Sequence, residues 1–290
     1  MVIKEKRWLP LHIVISVYCL FTILLSLSPE VELVNGWAFY LPKFTILTIV
    51  ASWPWWVKHL HEKGLNFLNA ILGVGFLGFF YNETGQLNHL LFEPIDPYLV
   101  NIESWLFGVQ PSLLFSAKFP NVWITELMNL GYLSYYFIIV GFVMMALYRK
   151  PEQFNRLLFL ISQSFIIYYL IFILIPSWGP QFYFQAPANH ANEGVFFQKI
   201  IAFIQHQGET ATGAIPSSHV GITAMILLLS FRHFRHYFWF ILPFALLLFC
   251  STVYIKAHYL IDVIAGFISA PLILLLSQKI WNTLNKPTLR

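Results

Sequence analysis

Two short polar stretches stand out in a largely apolar chain: Ala-Ile-Pro-Ser-Ser-His at 214–219 and His-Tyr-Leu-Ile-Asp at 258–262. A histidine four residues before an aspartate places both on one face of a helix, within reach of each other. A carboxylate that accepts from one ring nitrogen fixes the tautomer, and the other nitrogen is then free to attack an electrophile or to bind a metal. On its own, a His-x-x-x-Asp pair is more often a staple between helices than a catalytic group. The first stretch changes that weighting. Pro216 suits the first turn of a helix, where its missing N–H is no loss. Ser217 and Ser218 add hydroxyls beside the free N–H groups of that terminus, and such an end favours phosphate. Two such features on one side of the same bundle point to a phosphate-handling centre built on His219, His258 and Asp262.

Those residues need a scaffold, and the composition defines it. Of 290 residues 58% are apolar and only 10% charged, against roughly 25% charged in soluble domains. The excess apolar surface implies lipid as the solvent. The expected fold class is therefore all-α, a polytopic helix bundle. Eight candidate spans lie near 9–28, 38–57, 66–81, 125–148, 157–176, 217–232, 237–255 and 258–279. The third is short enough to be a partial or tilted span. The basic head and long apolar run at the start read as a retained first span rather than a cleaved signal. The stretch 82–124 suggests short interfacial helices, and 177–216 forms a second long polar connection.

Charge orients the bundle. With eight crossings, all but Lys43, Lys118, Lys199 and Lys256 of the 17 Lys and Arg residues fall on one side. Cytoplasmic loops are enriched in Lys and Arg, so both termini are expected to be cytoplasmic and both histidine motifs non-cytoplasmic: periplasmic, extracellular or lumenal. No basic arm for nucleic acid occurs. Cys19 and Cys250 sit in apolar runs and read as small hydrophobes. No metal-type Cys/His cluster and no cofactor motif is evident.

The motifs resemble the second and third signatures of the type 2 phosphatidic acid phosphatase superfamily, Pro-Ser-Gly-His and Ser-Arg-x5-His-x3-Asp. Here Ser218 replaces the glycine, and Ser251 and Thr252 stand at the Ser-Arg positions. The usual first motif is replaced by Ile-Pro-Ser-Trp-Gly-Pro-Gln at 175–181. With Ile-Asp-Pro-Tyr-Leu at 95–99 and Leu-Phe-Gly-Val-Gln-Pro-Ser at 106–112, this is similar to the branch containing inositol phosphorylceramide synthase. The likeness runs from about 90 to 270, which sets an expected division: motif-free N-terminal spans at 1–65, and a catalytic membrane domain with a six-helix phosphatase-type core at 66–290.

The resemblance implies metal-free phosphoryl transfer through a phosphohistidine on His258, oriented by Asp262, with His219 protonating the leaving oxygen. Ser217, Ser218 and the N–H groups at 217–219 would hold the phosphoryl oxygens. The branch often carries Arg where Gln181 stands, and Lys256 is a candidate substitute for the cation missing at Thr252; an ordinary turn lysine is equally consistent. The implied substrate is a lipid phosphate, and the acceptor is water or an alcohol such as inositol. Two other classes would use the same residues: a hydrolase with His219, His258 and Asp262 as metal ligands, or a transporter with them as a proton relay. Among lesser candidates, Tyr132, Tyr135 and Tyr136 are pocket-lining or packing aromatics, and Trp53, Trp55 and Trp56 an interface anchor. Trp178, Gly179 and Pro180 would shape a loop over the site, and His190 and His206 would be solvated.

Overall fold

A computed structural model of the chain describes residues 8–184, 194–208 and 210–285. Among these residues there are helices and no strands. Five helical stretches are long and apolar enough to cross a membrane: Glu62–Leu87, Val122–Arg149, Phe154–Leu174, Arg235–Tyr254 and Leu260–Leu284. Pro10–Leu25 and Gly36–Ala51 are shorter apolar helices, and Ser218–His233 has 16 residues.

In chain order, α1 is Pro10–Leu25 and α2 is Gly36–Ala51, followed by the short α3, Trp53–His59. The third expected span is longer than the apolar run suggested. It combines α4 (Glu62–Ala70), a π-turn at Ile71–Gly75 and α5 (Leu77–Leu87). A single continuous core cluster runs from Leu9 to Leu274, so the expected division at 65/66 falls inside α4 and inside one core. Polar contacts reinforce the junction. The ring Nε2 of His12 on α1 meets Asn69 Oδ1 at 2.9 Å, and Asn69 Nδ2 donates to Asn155 Oδ1 at 3.0 Å.

Lys43 was expected on the non-cytoplasmic side. Instead it is buried in mid-α2, paired with Glu83 of α5 and over the ring of Phe39. An isolated charge at that depth is costly, and pairing offsets it.

The remaining elements carry the site. The polar stretch at 82–124 folds into α6 (Asp96–Phe107) and α7 (Pro111–Lys118). Next come α8 (Val122–Arg149), α9 (Phe154–Leu174) and the single turn α10 (Pro180–Tyr183). The helix α11 (Phe197–Gly208) precedes α12 (Ser218–His233), α13 (Arg235–Tyr254) and α14 (Leu260–Leu284). With 78% of its apolar window buried, against 39–50% in the other four, α9 is the central post of the bundle. The stretch of α4 and α5, α8 and α14 pack against it, whereas α13 packs on α8 and α12. The hairpin connections make α12 and α14 parallel, so both histidine motifs open at the same end. Gly266 lets these two helices touch, since a Cβ there would lie 2.7 Å from the Ser217 carbonyl oxygen.

Candidate active site

Ser217 caps α12: its Oγ accepts from Val220 N–H at 3.3 Å. The helix proper starts at Ser218, so Pro216 stands ahead of the cap rather than in the first turn as expected. Ser217 is fully buried, and its N–H donates to the Asp262 carbonyl at 3.0 Å. Its hydroxyl is therefore occupied in the cap. Ser218, itself buried, borders the cavity at the histidines, and the N–H groups of Ser218 and His219 have no intrahelical acceptor.

His258 lies just before α14 and not on its face. Tyr259 is the N-cap residue, and Asp262 folds back so that its Oδ2 accepts from Tyr259 N–H at 2.8 Å. The same oxygen lies 3.6 Å from His258 Nδ1. A nearer partner of Nδ1 is the Ala214 carbonyl oxygen, at 2.8 Å. A carbonyl can only accept, so Nδ1 carries the proton and Nε2 presents its lone pair. Nε2 faces His219 Nδ1 at 3.1 Å, which makes His219 the donor of that bond. The His219 ring is held by Tyr132 and Tyr135, whose centroids lie 4.8 and 4.4 Å away.

The Ala214 carbonyl is itself fixed from a distance. Ser177 accepts at both oxygens: its carbonyl from Ala214 N–H at 3.3 Å and its Oγ from Ile215 N–H at 3.0 Å. The next two residues are clamped by Asp96 at the start of α6, which takes Trp178 N–H at 2.7 Å and Gly179 N–H at 2.9 Å. Asp96 also accepts from the Tyr259 hydroxyl at 3.0 Å. Burial, and then the adjacent Asp96 carboxylate, keep that hydroxyl protonated well above its ordinary range. A second buried carboxylate, Glu103, accepts from Ile261 N–H at 3.0 Å. Burial, with a smaller contribution from Asp262, raises its pKa to about 7. Asp96, Ser177, Ala214 and Glu103 were not assigned roles from sequence; the Asp in Ile-Asp-Pro-Tyr-Leu was the available signal.

A polar cavity of about 20 Å³ sits at the two imidazoles, bordered by Ser218, Gln181, Trp178 and Thr212 among others. No Lys or Arg borders it among the described residues. Lys256, a candidate substitute cation or an ordinary turn lysine, follows the C-cap of α13 in the left-handed region (φ 65°), and its carbonyl accepts from Gln181 N–H at 3.0 Å. The site thus uses its backbone, while partial burial lowers its ammonium pKa. Thr252 points back to the Phe249 carbonyl, and its own carbonyl accepts from His258 N–H. Tyr136 is half-exposed, His206 is exposed, and His190 lies outside the described residues. Trp53 is fully buried against His12, whereas Trp55 is exposed.

Asp262 lies at the opposite edge of the His258 ring from His219, so the three side chains do not converge on one point. Among the described residues no group of three or more His, Cys, Asp or Glu could hold a metal ion. A larger apolar cleft of about 360 Å³ adjoins the polar cavity, sharing Ser218, His219 and Tyr81 with it.

The arrangement provides a facing pair, an acceptor imidazole hydrogen-bonded to a donor imidazole, at the mouth of two parallel helices inside an apolar bundle. No curated protein and no solved structure matches the chain. The sequence signature described as the PAP2 superfamily matches residues 97–276, from α6 to α14, and so includes both histidines, Asp262 and the loop that Asp96 clamps. That match spans more than half of the chain: the protein belongs to the PAP2 superfamily, and membership implies a multi-pass membrane enzyme of phosphatase type acting on phosphorylated lipid.

Proposed function

We propose that the protein takes the phosphoryl-bearing group of a membrane lipid onto His258 and passes it to water or to an alcohol. The observation that carries this reading is the facing pair, His219 Nδ1 to His258 Nε2 at 3.1 Å, with the His258 tautomer set by the Ala214 carbonyl. In the first half-reaction Nε2 attacks phosphorus and the bond to the lipid oxygen breaks. His219 enters this step as the imidazolium, gives its Nδ1 proton to that oxygen and is left neutral. The phosphorylated imidazole is cationic, and Asp262 and the Ala214 carbonyl stabilise it at Nδ1. In the second half His219 accepts the proton of the incoming hydroxyl, the P–O bond forms and the N–P bond breaks. Ser218, Gln181 and the N–H groups of Ser218 and His219 are the nearest donors for the phosphoryl oxygens, with Ser217 acting through the cap. Phosphoryl transfer needs positioning and electrostatic support more than covalent elaboration. With no Lys or Arg at the cavity among the described residues, those dipoles carry the electrostatic share.

The termini are assigned to the cytoplasm and the site to the opposite face. The clustering of Arg156, Arg232 and Lys150 about His233, at the far end of α12 from His219, supports that orientation. Likeness at residues 95–99, 106–112 and 175–181 to the inositol phosphorylceramide synthase branch supports an alcohol such as inositol as acceptor.

The test is a panel of lipid phosphates and inositol phospholipids given to the purified protein in detergent, with and without myo-inositol. Free phosphate and new lipid are scored together, and His258→Ala is the blank. Release of phosphate, or formation of new lipid, that persists in EDTA and is lost in His258→Ala is the expected result. Neither product with any substrate, or activity that EDTA abolishes, would overturn the reading.

A further inference from the structure

The apolar cleft beside the histidines has walls of unequal origin. Tyr135, Ile139 and Val140 of α8 and Phe165 of α9 lie within the family-matched region. The facing wall comes from outside it: Val74 in the π-turn, and Leu77, Gly78 and Tyr81 on α5. From Tyr81 at the polar cavity to Val74 is seven residues, a descent of about 10 Å along the helix. The cleft opens sideways at Val140 and Tyr136, both exposed on the outer surface of α8. Its volume, about 360 Å³, falls in the range of ligand-sized pockets.

Gly78 is the notable position on that wall. A Cβ built there meets no atom within 4 Å, and the same holds at Gly208 on α11, which also borders the cleft. Neither glycine has a positive φ or a close helix contact to require it. Absent side chains at these two places leave the cleft as open space rather than core.

We propose that this cleft seats one apolar chain of the phosphorylated lipid, and that Gly78 and Val74 on the N-terminal helices set which chains fit. The occupant follows from continuity: His219 and Ser218 border both the cleft and the polar cavity, so a phosphorus atom held at the histidines has its apolar substituent at the mouth of the cleft. Bilayer and cleft are both apolar, so moving a chain between them gains little hydrophobic free energy. Fit is therefore decided by shape, and side chains on the α5 wall act by excluding volume. The inference rests on the lipid-phosphate reading above and adds the specificity determinant.

The experiment compares the ratio of kcat/KM for dioleoyl over dioctanoyl phosphatidic acid in wild type, Gly78→Phe, Gly78→Leu and Val74→Trp, all in the same detergent. Gly78→Phe should lower that ratio at least tenfold, Gly78→Leu should lower it less, and Val74→Trp, at the deep end, should shift the preference towards the shorter chains. A general folding defect lowers both substrates together, and the ratio separates it from chain exclusion. Wild-type turnover with ratios unchanged in all three variants would overturn the cleft assignment alone. No wild-type turnover of either lipid, nor of any member of the panel above, would overturn the parent reading instead.

Discussion

The Asp96 carboxylate accepts a hydrogen bond from the Tyr259 hydroxyl at 3.0 Å, joining the start of α6 to the cap of α14 across 163 residues of sequence. The same carboxylate takes the N–H groups of Trp178 and Gly179. One buried side chain thus ties the cap of α14, next to His258, to the loop whose Ser177 holds Ala214, the residue that sets the His258 tautomer.

Replacing Asp96 by Ala leaves two N–H groups and one hydroxyl without their acceptor. Each buried orphan costs roughly 1–3 kcal/mol. The variant is expected to unfold in detergent at a markedly lower temperature than wild type, with kcat reduced in the fraction that remains folded. Unchanged melting would contradict the clamp.

Asp262→Asn removes the charge beside Nδ1 but leaves the Ala214 carbonyl, which lies nearer to that nitrogen (2.8 against 3.6 Å). The tautomer is thereby retained and only the charge stabilisation is lost. The corresponding change in a Ser-His-Asp triad, which does lose the tautomer, costs on the order of 10⁴ in kcat. A smaller loss, on the order of 10², is expected here, with KM little changed.

His219→Ala is expected to slow turnover of alkyl phosphate esters by roughly 10²–10⁴, the usual contribution of general acid catalysis. An ester with a good leaving group, such as p-nitrophenyl phosphate, needs no proton at the departing oxygen in the first half-reaction. The variant should therefore form phosphoenzyme from it at a rate closer to wild type, which rapid quench can measure.

Glu103 gives a pH signature. Burial raises its pKa from the ordinary 4.5 to about 7, so between those values the folded protein binds more protons than the unfolded chain. Stability from this group is complete below about 4.5 and is lost as pH rises through about 7. Melting temperature should show that falling component in wild type, and Glu103→Gln should lack it. Parallel profiles would contradict the assignment.

Much of the catalytic centre was legible because its information is local. The spacing of His258 and Asp262, and the Pro-Ser-Ser-His helix start, place these side chains at one end of the bundle. What sequence concealed depends on contacts between distant segments. Asp96 meets residues 82, 83 and 163 positions away, and nothing in its own neighbourhood records that. Lys43 was counted with the non-cytoplasmic charges, and its pairing was hidden because its partner, Glu83, belongs to another helix. Lys256 was equally consistent with a phosphate-binding ammonium and an ordinary turn lysine; its left-handed backbone conformation and the bond its carbonyl accepts from Gln181 N–H depend on a contact that its neighbours in sequence do not record. The third span looked short because hydropathy falls at the polar residues of α5, where burial against α9 and the 210–213 segment sustains the helix: Tyr81 and Thr84 both bond to Thr212.

The most direct test of the central claim is to trap the covalent intermediate. Protein mixed with a lipid phosphate labelled at phosphorus, quenched in base within the first turnover and digested, is expected to carry label as an acid-labile, base-stable adduct on the peptide containing His258, and none in His258→Ala. Label on another residue, or turnover in His258→Ala, would contradict the account.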